Sequence, residues 1–142
     1  MDTITREEFT DRLVRLCVNS GLRGVPRKAR DRHILSKGIT LTLDLKAEYT
    51  EEEVNQELKT WLTEVGGTLR RLSHVRLRRL LIDEEYLGRS KDGSRYWVAL
   101  GSRNHPAFEP AVQDIDVSEL LRTGREEAER RKQMYQQKQM ES

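Results

Sequence analysis

Six cations in this chain could do chemistry together. Arg76, Arg78 and Arg79 lie in "HVRLRRLLID", and Arg89, Lys91 and Arg95 lie in "GRSKDGSRYWV". An arginine guanidinium is planar and permanently charged. It pairs with phosphate and can grip a guanine edge through two parallel hydrogen bonds. The chemistry these residues suggest is binding of a polyanion, with duplex DNA the best fit to a dense arginine set. The distribution of charge agrees. The chain nets only +2, yet residues 66–105 hold 9 basic and 4 acidic side chains, a net of +5. Residues 1–65 net −1 and residues 106–142 net −2. A local positive field is what a polyanion meets.

Three features oppose that reading. Asp83 follows Arg79 by one helical turn, so an i,i+4 pair could occupy the arginine. Asp83, Glu84 and Glu85 place three acids at the end of the basic segment, where they would repel phosphate. Val75 and Ile82 flank Arg79 on a helical wheel, and two apolar residues there suit a face that packs on another helix, the tail or a second subunit.

Enzyme chemistry has less support. His33, His74 and His105 show no metal-ligand spacing with one another or with Cys17. His74 falls near the core side of its segment and reads as a satisfied histidine. Glu51, Glu52 and Glu53 stand at a helix start, where they complement the helix dipole. Gly66-Gly67 is not followed by the residues of a phosphate loop. Trp61 and Trp97 read as core, although strand alternation leaves only one of Tyr96 and Trp97 facing inward. Cys17 reads as a small buried hydrophobe. No catalytic residue, metal or cofactor is indicated.

The elements that must position the six cations can be read from period and punctuation. At 142 residues, 35% charged and 35% hydrophobic, the chain suits one modest core plus extensions. A first helix is expected over about 5–19, opened by a Thr5/Glu8 capping pattern, carried by Phe9, Leu13, Leu16 and Cys17, and stopped at Ser20-Gly21. Pro26 stands where a second helix could begin. "GITLTLDL" alternates strictly, which locally favours a strand. "YTEEEVNQELKTWL" is the clearest helix, with Thr50 and Glu53 as its capping box, Tyr49 and Val54 as a hydrophobic staple, and a stripe from Val54 to Val65. Leu77, Leu80 and Leu81 form the core face of the arginine helix, with Arg79 opposite and Arg76 and Arg78 on its flanks. Two short strands then turn on Asp92-Gly93. Residues 104–118 read as loop. Asp116 and Glu119 cap a last segment that is either a fraying polar helix or a disordered tail.

Three pieces, "PRKARDRHIL", "YTEEEVNQELKTWL" and "HVRLRRLLIDEEYLGRSKDGSRYWV", together resemble a bacterial domain-of-unknown-function family with a winged-helix-like pattern. Members of that family are in some cases joined to arsenic-repressor-type transcription regulators. The resemblance covers about residues 25–98. It implies helices over 27–44, 51–65 and 74–85 and a wing over 86–100, and it implies no activity of its own. The helical reading of residues 38–45 is adopted against their local alternation.

The expected fold is mainly α with a small β-hairpin, a winged helix-turn-helix-like domain over 25–103. An N-terminal helix and connector precede it (1–24), and a loop and polar helical or disordered tail follow (104–142). The expected function is that of a cytoplasmic DNA-binding protein, a transcription regulator or a fragment of one. The alternative is a protein-interaction or dimerisation module of the same fold. The expected partners are double-stranded DNA or a second copy of the chain, with no membrane and no small molecule indicated.

Overall fold

The computed structural model describes residues 2–19, 24–65 and 72–141. The helix stops expected at Ser20-Gly21 and Gly66-Gly67 lie outside the described residues. Helix α1 spans Arg6–Val14 and continues as a π-helical turn over Arg15–Asn19. Thr5 caps it, its Oγ1 accepting from the Glu8 backbone N–H at 3.1 Å. Phe9, Leu13, Leu16 and Cys17 are buried, as their spacing requires. Burial pushes the Cys17 thiol up to about 12.

Helix α2 spans Ala29–Thr40, shorter at both ends than the expected 27–44. Pro26 lies before the helix and not in its first turn. The carbonyls of Pro26 and Arg27 instead accept from the Arg32 guanidinium at 3.2 and 2.6 Å, which holds the chain outside helical geometry there. At the other end the threonines compete for the backbone. Thr40 Oγ1 donates to the carbonyls of Ser36 and Lys37, and Thr42 Oγ1 to that of Ile39. Leu41 to Leu43 then close in turns. Neither the strand nor the helix extends to residue 44: Ile39 and Leu43 are buried, but Leu45 is 46% exposed.

A two-residue strand, β1 (Glu48–Tyr49), leads into helix α3, Glu51–Thr60, with a π-helical turn over Trp61–Val65. Both halves of the Thr50/Glu53 capping box are present. Helix α4 spans His74–Asp83, capped by Ser73 Oγ. It stops two residues earlier than expected. Glu85 adopts φ +62°, and the Tyr86 N–H reaches back to the Leu81 carbonyl at 2.7 Å, a Schellman-type ending built on a residue other than glycine.

Strands β2 (Leu87–Arg89) and β3 (Tyr96–Val98) form the expected hairpin, and β1 adds to it to give the order β1-β3-β2, all antiparallel. The turn is held by Asp92, whose carboxylate accepts from Ser90 and Ser94 and titrates at about 2 for that reason. Gly93 supplies its φ of +73°. Leu87, Tyr96 and Val98 face inward; Trp97 faces outward across Gly88, where a Cβ would meet the indole.

The segment read as loop contains a 3₁₀ turn, Pro110–Asp114, and a short bridge between Ile4 and Phe108. Helix α5 then runs Val117–Glu141, with Asp116 accepting from the Glu119 N–H. Val117, Leu121 and Gly124 are buried, and residues 129–141 are exposed on every side. One core joins Phe9 and Leu13 of α1, Ile34 and Ile39 of α2, Leu58 of α3, Leu77 and Leu81 of α4, and Leu121 of α5. No described helix is long and apolar enough to cross a membrane.

Candidate nucleic-acid interface

Helix α4 has two faces. Leu77, Leu80 and Leu81 are buried, and Val75, Arg76 and Arg79 point away from them into solvent. The hairpin follows α4 directly. Its residues alternate, so Arg89 shares a face with Leu87 and lies opposite Tyr96. At that end of the sheet the inner face is open, and Arg89 meets α4 across a shallow groove of about 210 Å³. Val75, Arg78, Arg79, Ile82 and Asp83 line the helix side, with Glu51 of α3; Arg89 and Tyr96 line the sheet side. A second groove, of about 350 Å³, is lined by Val25 and Arg32 and, on α4 and its end, by Arg76, Arg79, Asp83 and Glu84. Arg79 therefore stands on the ridge between two grooves.

The six cations divide. Arg76, Arg79, Arg89, Lys91 and Arg95 are exposed. Arg78 is engaged within the molecule, at 3.2 Å from Glu51 and hydrogen-bonded to Asn55, with its side chain 20% exposed. It ties α4 to the start of α3. Lys91 and Arg95 lie at the turn end of the hairpin and line neither groove. Arg79 and Arg89 thus line one groove, with the Arg89 guanidinium lying against Gly93 of the turn.

The i,i+4 pair that could have occupied Arg79 does not form: among the described residues Arg79 has no ion-pair partner. The acids at the end of α4 are also disposed differently from the expectation. Glu84 accepts from Arg32 at 2.8 Å. Glu85 accepts from Ser102 and from Asn104, and those bonds hold its carboxyl below the usual carboxylate range. Only Asp83 remains exposed without a partner among the described residues. Within the chain, Val75 is not covered by the first helix or the tail. It is 47% exposed, while Ile82 is partly buried against the core. Helix α1 packs on α2 and α5 and leaves this face open.

A second cluster was not visible in the sequence. His33, Tyr86, His105 and the Glu84 backbone meet behind the end of α4. His33 Nδ1 is 3.0 Å from the Tyr86 hydroxyl, and His105 stacks on the Tyr86 ring at 3.9 Å between centroids. His105 Nε2 is 2.7 Å from the Glu84 carbonyl, which can only accept, so Nε2 carries the proton. Burial holds His33 below its usual pKa despite the Glu84 carboxylate 3.7 Å from Nε2. Burial likewise holds the Tyr86 hydroxyl in its neutral form, well above its ordinary range. His33 and His105 come from distant segments with no shared motif, so no spacing could have announced them. His74 is only partly buried and joins neither group. Among the described residues no three potential ligands could hold a metal ion.

The fold and this face define a mainly helical protein with a small antiparallel sheet and an open arginine ridge beside its hairpin. One family matches, described as "Uncharacterized protein conserved in bacteria (DUF2087)", over residues 21–98. The chain belongs to that family. No curated protein and no solved structure matches it.

Proposed function

We propose that the protein binds double-stranded DNA, with α4 as the groove-reading helix and the β2–β3 hairpin as its wing, and that it acts in transcription regulation as a regulator or a fragment of one. The observation that carries the reading is the ridge of Arg79, exposed, without a carboxylate partner among the described residues, and sharing a groove with Arg89. The order α2, β1, α3, α4, β2, β3 supports it: three helices and then a hairpin, with the third helix solvent-facing, is the arrangement of a winged helix-turn-helix. Arg76 and Arg79 would face the duplex and Arg89 its backbone. Lys91 and Arg95 would reach flanking phosphates.

Fluorescence anisotropy with a labelled random duplex across a salt series tests this. Affinity should fall steeply as salt rises, because each phosphate neutralised releases counterion. Arg89→Ala should lower the slope of log affinity against log salt by about 1. No binding at low salt overturns the reading. The competing reading, a protein-interaction or dimerisation module, draws on Val75, an apolar side chain 47% exposed beside Arg79. A monomer in sedimentation whose DNA affinity survives Val75→Ser excludes dimerisation through this face.

A further inference from the structure

A further cleft lies away from the arginine ridge. It has a volume of about 510 Å³ and is formed by α2, the chain leaving β3 and the segment around Phe108. That volume falls in the range of small-molecule sites. Its walls are mostly apolar: Leu41, Leu45, Val98, Leu100 and Phe108 contribute. Leu100 is 91% exposed and Leu45 46%, so two large aliphatic side chains stand in water at one rim.

One cation faces this apolar lining. Lys37 Nζ donates to Gln113 Oε1 at 2.8 Å and lies 5.6 Å from the centre of the Phe108 ring. Both partners are neutral. No carboxylate among the described residues lies within ion-pair reach of Lys37. Burial lowers its pKa, as expected of an ammonium group withdrawn from water with no counter-charge. A monoanion would supply that charge. A polyphosphate would not be matched, because the cleft offers a single lysine and no arginine. Leu100, His105, Phe108 and Gln113 lie beyond the family match, and more than half of the lining comes from that C-terminal part of the chain.

We propose that this cleft binds a small monocarboxylate with an apolar body, the carboxylate on Lys37 and the body against Leu41, Leu45, Leu100 and Phe108. The site does not depend on DNA binding. A titration of the full chain followed by amide proton–nitrogen NMR tests it, with phenylacetate and hexanoate as probes and phenylacetamide as the uncharged comparator. The acids should shift the amides of Lys37, Leu41, Leu100, Gly101 and His105. The amide should bind at least about tenfold more weakly, since a charge-assisted hydrogen bond is lost. Lys37→Met, which keeps an apolar stem, should remove the preference for acid over amide. Leu100→Asp serves as a second variant at a position too exposed to disturb folding, and its added negative charge should weaken the acids. Absence of shifts at these amides with both acids overturns the proposal, as does equal binding of acid and amide, or acid binding unchanged in Leu100→Asp.

Discussion

Helices α2 and α4 are both rich in arginine, and the structure uses the two sets in opposite ways. Arg30 of α2 reaches Glu8 of α1, at 2.6 Å from Oε1. Arg32 reaches Glu84 beyond the end of α4. Between them, Asp31 receives Arg12 of α1 in a two-bond pair, at 3.1 and 2.8 Å. These side chains are ties between helices. In α4, Arg78 is such a tie, but Arg76 and Arg79 pair with no carboxylate among the described residues. The difference teaches that arginine density does not mark a binding face. What marks it is charge left unanswered by the rest of the molecule, because only uncompensated charge projects a field to a partner.

Three substitutions would break or sharpen this contrast. The largest effect is expected from Leu77→Ala, on the buried side of α4. That leucine is fully buried in the common core, so its loss should cost about 2–5 kcal/mol, read as a fall in the denaturation midpoint. An unchanged midpoint would mean that α4 is not held by this face, and the two-faced description of the helix would fail.

Asp31→Ala comes next. It removes the carboxylate of the tie and leaves Arg12 unmatched. Asp31 is 11% exposed in its side chain but Arg12 is 34% exposed, so water screens part of the loss. A cost of about 2 kcal/mol is expected, between the value of a surface pair and that of a buried one. Urea denaturation gives the number. A loss too small to measure would mean that the Arg12–Asp31 pair does not tie α1 to α2.

Arg79→Ala should have the smallest effect on stability, within about 0.5 kcal/mol, because the side chain pairs with no carboxylate among the described residues. Arg32→Ala is its control, since it breaks the bond to Glu84 and to two backbone carbonyls. Comparative thermal melts should show a drop for Arg32→Ala and none for Arg79→Ala. A drop of similar size in both would show that Arg79 is structural after all.

The sequence reading was most accurate where the determinants are local. The Thr50/Glu53 box, the stripe through Val54, Leu58 and Trp61, and the turn at Asp92-Gly93 all stand as read. It was least accurate where short-range signals compete. In "GITLTLDL" the threonines alternate like a strand, yet their hydroxyls bond to helix carbonyls and end α2 at Thr40. Strand β1 is two residues long, and no period can be read from two residues. The wheel placed Arg79 opposite the core correctly, but sequence spacing alone left open whether Asp83 occupies it.

By itself, then, the sequence determined helices α1, α3 and α4, the caps at Thr5 and Thr50, which leucines of α3 and α4 face inward and where the hairpin turns. Those properties follow from hydrogen bonds and side-chain periods that span a few residues. Tertiary structure decided which charges are answered. Glu84 could have repelled a phosphate, but Arg32 from another helix takes it. Arg78 could have faced a duplex, but Glu51 and Asn55 hold it. His33 and His105 converge on Tyr86, and Lys37 looks into a cleft closed by Phe108 and Gln113. A charge or a ring finds its partner through space, and which partner lies within reach is set only when the helices that carry them are packed.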